Sequence, residues 1–274
     1  MVTALQAALE AGARLIGSCE ITEALGPAVA RISARSGEEY VVKKHADRAK
    51  HDREVHANQH WTPALGSSAP QLVAADAQAL TIVTTALNGR PYPGLLTTTA
   101  HHRAGTILRR FHDAEPPRPL PGYRDWLRDR AAYWTGRARP FINAADLGNA
   151  SAHLAALQQA TAPDGVPCHL DFQPRNWLLG PAADLYLVDF EHARADIALR
   201  DLVRLRFRVW PGRPDLKDAF LNGYGRELTG PDTETLQHLG ALDALTAVAK
   251  GHQNHDIQLV QYGHSTLRQL RASG

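Results

Sequence analysis

The segment HLDFQPRN, residues 169–176, holds Asp171 and Asn176 five positions apart, and Asp189 follows thirteen residues later in LYLVDFEH. A carboxylate, a carboxamide and a second carboxylate can divide the work of phosphoryl transfer. That reaction asks a protein mainly to position two oxygens about phosphorus and to balance spreading negative charge. Asp171 would accept a hydrogen bond from an attacking hydroxyl and take its proton as the new bond forms. Asn176 and Asp189 would offer hard oxygens to magnesium, the first without adding charge. Taken singly, each of these residues is common as a cap of a turn or of a strand end. The three together, at these spacings, point to a site.

Such a site needs elements that bring a loop, a hairpin and a nucleotide to one place. NWLLG and LYLVDF read as short strands around GPAAD, a hairpin set in helical surroundings. Upstream, AGTILRRFH places Ala104, Ile107, Leu108 and Phe111 at helical spacing, and YRDWLRDRAAYWTGRARPF and NASAHLAALQQA read as further helices around the proline-rich EPPRPLPG. The first third is different in kind. AVARIS and EEYVVKK are strand-like on either side of ARSG, and APQLVAADAQALTIVTTAL holds two more apolar runs divided by ADAQ. Between these hairpins RAKHDREVHANQHW reads as a helix that Pro63 ends, and NGRPYPG punctuates the chain after the second hairpin. The expectation is an α+β fold of two lobes. Residues 1–90 would form a small antiparallel sheet lobe with one helix, residues 91–274 a larger, mainly helical lobe, with a nucleotide in the cleft between them.

With these motifs in this order, the sequence resembles the aminoglycoside phosphotransferase and choline kinase family, small-molecule kinases with a bilobal protein-kinase-like fold. The sheet lobe, AGTILRRFH, HLDFQPRNWLL, LYLVDFEHA and RDLVRL arrive in the family's order along most of the chain. The resemblance implies Asp171 as catalytic base, Asn176 and Asp189 as magnesium ligands, and ATP or GTP as donor. It implies a packing role for His169 and a scaffold role for Asp201, at the head of a helix. Glu191 is left between a second metal site and a structural role.

For the nucleotide end, strand alternation in EEYVVKKHAD puts Val41 and Lys43 on one face and Val42 and Lys44 on the other. The resemblance then implies Lys43 at the α- and β-phosphates and Val41 beneath the adenine, with Lys44 as the substitute if the register slips by one. Glu54, eleven residues on, matches the glutamate that orients this lysine. TIVTTALNGRP resembles the family's hinge, and matching its glycine to Gly89 sets the carbonyl of Thr85 and the amide of Leu87 at the adenine edge. Gly26, Pro27 and Ala28 stand where a phosphate loop would lie, although no G-x-G-x-x-G is present. Leu170 replaces the arginine of the protein-kinase HRD triplet, and DFE replaces DFG with no APE segment after it. Neither control by an activation loop nor an extended peptide acceptor is therefore expected.

Composition narrows the partners. In 274 residues, thirty basic against twenty-eight acidic side chains leave a net charge of +2. Neither sign forms a block suited to nucleic acid or a membrane surface. The start lacks the basic and apolar regions of a signal peptide, so a cytoplasmic protein is expected, with no obligate protein partner implied. Cys19 and Cys168 read as small buried hydrophobes, and no second ligand pair supports zinc beside His169.

The acceptor pocket would come from residues 120–160 and 205–270. From residue 205 onward seven acidic residues face eight basic ones, and Trp210, Tyr224, His252, Gln253, Asn254, His255 and Tyr262 offer aromatic and neutral polar groups. Such a lining suits a neutral or weakly charged sugar, nucleoside or nucleoside-like antibiotic at least as well as a polycationic aminoglycoside, which calls for clustered carboxylates. The expectation is an ATP- and magnesium-dependent kinase acting on a hydroxyl of a small molecule, with inactivation of an antibiotic as its use. An aminoglycoside kinase and a metabolic amino-alcohol or sugar kinase are the alternatives. A nucleotide-binding pseudokinase regulator is the alternative of another class, against which the joint presence of Lys43, Asp171, Asn176 and Asp189 argues.

Overall fold

The described chain opens on a helix that the sequence reading did not assign. In the computed structural model, which describes residues 3–92, 96–159 and 164–272, helix α1 spans Ala4–Ile16, and the hydroxyl of its N-cap, Thr3, accepts from the Gln6 amide at 3.1 Å. Its small residues Ala8, Ala11 and Gly12 are buried, and a Cβ on Gly12 would stand 3.2 Å from Val42. Small side chains let the helix lie close on the sheet beneath it.

That sheet has five strands, β1 (Cys19–Gly26), β2 (Val29–Ala34), β3 (Glu39–Lys44), β4 (Leu72–Asp76) and β5 (Thr81–Thr85), in the antiparallel order β1-β2-β3-β5-β4. Both hairpins read from the sequence are present. Ala30, Ile32, Val42 and Val83 point to α1 and, with Ala8, form a small separate core. By alternation Val41 and Lys43 lie on the opposite face. Between β3 and β4 runs α2 (Arg48–His60), whose N-cap Asp47 accepts from the Lys50 amide at 2.9 Å. The sheet lobe thus contains two helices rather than the one expected. The apolar spacing of Leu5, Ala8, Leu9, Gly12, Leu15 and Ile16 is the signal for the second.

After β5 the chain does not simply cross to the helices. Its short strand β6 (Arg90–Pro91) pairs with β8 (Trp177–Leu179), which pairs with β9 (Leu185–Leu187). Gly89 rests against Tyr186 and Leu178 with no space for a side chain. A second small sheet joins β7 (Val166–Cys168) to β10 (Arg194–Asp196). Around these lie α3 (Thr98–His112), α4 (Tyr123–Ala138), α5 (Ala144–Gln159), α6 (Pro214–Tyr224), α7 (Gly230–Gln253) and α8 (Ile257–Ala272). Their shared core also takes in Ala57, Trp61 and Leu65 from the first third, with Trp61 edge-on to Phe111 at 6.0 Å. Pro93 and Gly94 of the NGRPYPG punctuation, and Ala160 at the end of NASAHLAALQQA, lie outside the described residues. Among the described residues no helix is long and apolar enough to cross a membrane.

Several residues expected at the acceptor pocket belong to this frame instead. Trp210 and Tyr224 are buried in the large core, and His252 stacks on Phe141 at 3.8 Å between centroids. Gln253, Asn254 and His255 are exposed at the end of α7. Cys168 is buried as expected, whereas Cys19 is half-buried at the start of β1. The backbones of α3 and α6 meet at Gly105 and Gly223, where a Cβ would collide with the carbonyls of Phe220 and His102. Gly223→Ala should therefore cost about 1–3 kcal/mol in denaturant unfolding. Gly136→Ala, exposed on α4 with open space around it, should be neutral or stabilising by up to about 1 kcal/mol.

Candidate active site

Strand β7 delivers the chain into the 169–176 loop, and the loop is pinned by a buried carboxylate. Asp201 accepts from the amides of His169 at 2.8 Å and Leu170 at 2.6 Å. Behind it, His112 Nε2 lies 3.1 Å from the same carboxylate and its Nδ1 lies 2.8 Å from the Tyr224 hydroxyl. Asp201 is thus scaffold, but it holds another segment's amides rather than those of its own helix. His112, Cys168 and Asp201 could together offer three ligand atoms within 4.8 Å. Each is already engaged, the Cys168 thiol with the Asp196 carbonyl at 3.3 Å, and burial pushes that thiol's pKa up.

This pinning matters because Leu170 sits in the left-handed region at φ 60°, a conformation that costs a bulky residue about 1–3 kcal/mol. Two hydrogen bonds to a buried carboxylate offset it. His169 completes the loop. Its Nδ1 accepts from the Asp171 amide at 3.2 Å, so its Nε2 donates to the Val188 carbonyl at 3.1 Å. The ring is fully buried and, chiefly through burial, its pKa is lowered.

Asp171 is 2% exposed and faces a ring of donors. Its Oδ1 accepts from Gln173 Nε2 at 2.7 Å and is paired with Arg204. Its Oδ2 accepts from Arg175 Nη2 and from Asn176 Nδ2, each at 2.8 Å. Asn176 Nδ2 also donates to the Asp171 carbonyl at 2.8 Å. With its nitrogen committed to Asp171, the Asn176 amide presents Oδ1 as its oxygen donor. Asn176 is cross-strand from Val188, whose amide donates to the Asn176 carbonyl at 3.1 Å, and Asp189 is the next residue. Asp189 itself is left-handed at φ 71°, which aspartate tolerates better than most residues.

From the other lobe comes Lys43. Its Nζ lies 2.5 Å from Asp189 Oδ1, 2.8 Å from Glu54 Oε2 and 3.2 Å from Glu191 Oε2. Burial alone would lower the lysine's pKa, but the three carboxylates outweigh it and hold it well above the ordinary value. Lys44 instead turns to the Ala79 carbonyl at 2.5 Å, so the register of β3 places Lys43, and not its substitute, beside Asp189. Glu54 is buried on α2, 2.6 Å from His45 Nε2, and accepts from the Phe190 amide at 3.3 Å. Glu191 is opposed by burial, but Lys43 and Lys50, the latter at 2.6 Å, draw its pKa down to about 2. Arg53 Nε donates to the Glu191 carbonyl at 2.9 Å.

The remaining expected positions lie along the sheet and the connecting stretch. Val41 is half-buried on the Lys43 face, opposite Thr84. Thr85 ends β5, and its amide and hydroxyl both bind the backbone of Gln71. The Leu87 carbonyl accepts from Arg31 Nη2 at 3.1 Å. Pro27 and Ala28 form a two-residue turn between β1 and β2. Sequence reasoning missed Gln173 and Arg204 beside Asp171, and His45, Lys50 and Arg53 around Glu54 and Glu191. Gln173 and Arg204 stand inside the HLDFQPRN and RDLVRL motifs, which was the signal available for them.

The donor set fits magnesium and a nucleotide. Asn176 Oδ1 and the Asp189 carboxylate are hard oxygens of the kind magnesium takes, and the Lys43 ammonium reaches Asp189 from the sheet. A cavity of about 670 Å³ opens beside Asp171, lined by the 170–175 loop, by residues 192–209 and by α4, α7 and α8.

Comparison with known proteins agrees with this fold. The profile of the phosphotransferase enzyme family matches residues 21–239. No functionally curated protein matches the chain by sequence. Among solved structures, the choline kinase LicA from Streptococcus pneumoniae superposes with a TM-score of 0.66 at 16% identity, covering 92% of this chain and 93% of that one. The macrolide 2'-phosphotransferase MphH from Brachybacterium faecium gives 0.64 at 16% identity, with 96% and 97% covered. The GDP and kanamycin complex of APH(2")-IIia gives 0.68 at 14% identity, with 94% of each chain covered. The chain therefore belongs to the phosphotransferase enzyme family, a small-molecule kinase built on the bilobal protein-kinase-like fold.

Proposed function

We propose that the protein transfers the terminal phosphoryl group of ATP, or of GTP, to a hydroxyl of a small molecule, with residues 1–90 as the nucleotide lobe and 91–274 as the catalytic and acceptor lobe. The observation that carries this reading is the junction of two short contacts, Lys43 to Asp189 at 2.5 Å and Asn176 to Asp171 at 2.8 Å. They link a cation from the sheet, two oxygen ligands and a base through one loop and one hairpin. In this reading Asp171 orients the acceptor hydroxyl and takes its proton. Lys43, held upright by Glu54, binds the α- and β-phosphates. Val41 packs under the base, whose edge meets the Thr85 carbonyl and the Leu87 amide. Asn176 and Asp189 would hold magnesium, which when bound neutralises charge on the phosphate oxygens. Glu191, already committed to Lys43 and Lys50, serves as a structural clamp in this account.

The GDP complex of a structural relative supports a nucleotide in this cleft, and a cytoplasmic location accords with that donor. Sugar- and nucleoside-containing compounds, antibiotics among them, are the acceptor candidates.

Asp171→Ala should lower kcat for magnesium-dependent ADP release by about 10²–10⁴-fold while leaving the affinity for nucleotide within about twofold. Turnover unchanged in that variant would remove the mechanism. Asp189→Ala and Asn176→Ala should raise the magnesium concentration needed for half-maximal nucleotide binding, read by isothermal titration. Lys43→Met should weaken nucleotide binding and also lower the unfolding midpoint, because it leaves three carboxylates facing one another. The expected stability loss is about 3 kcal/mol.

A further inference from the structure

The cavity beside Asp171 is strongly cationic. Seven arginine and lysine side chains line it against four aspartates. Each aspartate is already engaged. Asp171 and Asp201 are bound as described, Asp243 accepts from the Tyr262 hydroxyl at 2.7 Å, and Asp256 caps α8 through the Leu259 amide at 2.9 Å.

Most of the cations are engaged too. Arg175 and Arg204 pair with Asp171, and Arg194 and Arg200 share the buried Asp196 at 3.0 and 3.1 Å. Arg208 donates to Gln173 Oε1 at 3.3 Å from the π-turn Leu205–Val209 and lies over the Tyr262 ring. Two remain. Among the described residues neither Arg130 on α4 nor Lys250 on α7 meets a carboxylate. Both stand over the Trp134 ring, at 5.9 and 5.6 Å, and Arg130 also over Trp126 at 5.4 Å. Arg130 Nε is buried with no hydrogen-bond partner.

Arg130 is half-buried and Lys250 exposed; with no carboxylate in contact, the burial of Arg130 and the repulsion between the two cations are both unfavourable. Burial, then Arg200 and Arg194, bring Arg130 down to about 10 against the weaker pull of Asp196 and Asp243, and burial, then Arg130 and Arg204, lower Lys250 against that of Asp243. A cavity for a polycation would show the opposite balance.

We propose that the acceptor carries an anionic group, a phosphate, sulfate or carboxylate, that docks between Arg130 and Lys250 while its hydroxyl lies at Asp171. This rests on the kinase reading and excludes polycationic aminoglycosides as the preferred acceptor. Arg130, Lys250 and Asp171 line the same cavity, so the anion site and the proposed base share one space. The cavity volume suits a ligand of metabolite size.

The test is calorimetric titration of inorganic phosphate into protein saturated with magnesium and a non-hydrolysable ATP analogue, with sulfate and acetate as parallel arms to separate the anion types. Phosphate or one of these anions should bind saturably. The Arg130→Met/Lys250→Met double variant should weaken that binding by about tenfold or more and melt no lower than the parent, because it removes unpaired charge. Lys250→Gln, a smaller change, should give a partial loss of the same sign. No saturable binding of any anion would overturn the proposal. So would affinity unchanged in the variants, or a lower melting point with affinity unchanged, the mark of a purely structural cation–aromatic cluster. Faster ADP release with kanamycin than with phosphorylated or carboxylated sugars would also overturn it while leaving the kinase standing. Failure of the ATP analogue to bind would instead sink the kinase reading, and phosphate titrated into nucleotide-free protein would still decide this one.

Discussion

One ammonium group ties the molecule together. Lys43 comes from the third strand of the sheet, Glu54 from the helix that follows, and Asp189 and Glu191 from the segment after the β8–β9 hairpin, and all three carboxylates converge on its Nζ within 3.2 Å. Three acidic groups in so small a volume would repel one another strongly in a medium less polar than water. Their coexistence depends on the lysine, with Lys50 and His45 in support. The same contact ties the small sheet to the larger lobe, because it joins a side chain of β3 to the end of the hairpin whose start follows Asn176. A binding step that supplies phosphate oxygens and a divalent cation would replace like with like at this point, taking up the ammonium on one side and the carboxylates on the other.

The opposite half of the site is held by a different device. Asp201, His112 and Tyr224 form a buried hydrogen-bonded chain whose end grips the amides of His169 and Leu170. This lets the loop carry a left-handed Leu170, which turns Asp171 into the cleft. Strain at a functional residue is tolerated where rigid surroundings over-determine it. The chain of groups reaches from α3 and α6, the two helices whose backbones touch at Gly105 and Gly223. Packing in the helical lobe and geometry at Asp171 are therefore one structural matter.

Much of this was legible in the sequence because it depends on short spacings. Alternation in β3 chose Lys43 over Lys44, and the geometry follows that choice because Val42 faces α1 across the small core. The hairpins, α2 and the apolar stripe of α3 follow from local pattern alone. Helix α1 is legible only in the helical spacing of Leu5, Ala8, Leu9, Gly12, Leu15 and Ile16, a pattern separate from the composition that marks a signal peptide. The acceptor side was legible only in part: the cavity draws on residues 120–160 and 205–270 and on Tyr262 as expected, but not on the other aromatics. Trp210 and Tyr224 look like pocket aromatics in a linear sequence, yet they fill the core, and the residues that charge the cavity come from α4, α7, the 170–175 loop and the π-turn. Counting acids against bases from residue 205 onward gave near balance. The imbalance exists only once folding selects which of those charges face inward and which of the acids are already engaged.

The most direct test of the central claim is an experimental structure of the protein with magnesium and a non-hydrolysable ATP analogue. The account predicts the α- and β-phosphates on Lys43, the metal on Asn176 Oδ1 and Asp189, and the terminal phosphate directed at the cavity that holds Asp171. A nucleotide bound elsewhere, with Lys43 still enclosed by Glu54, Asp189 and Glu191 and no metal on Asn176, would contradict it.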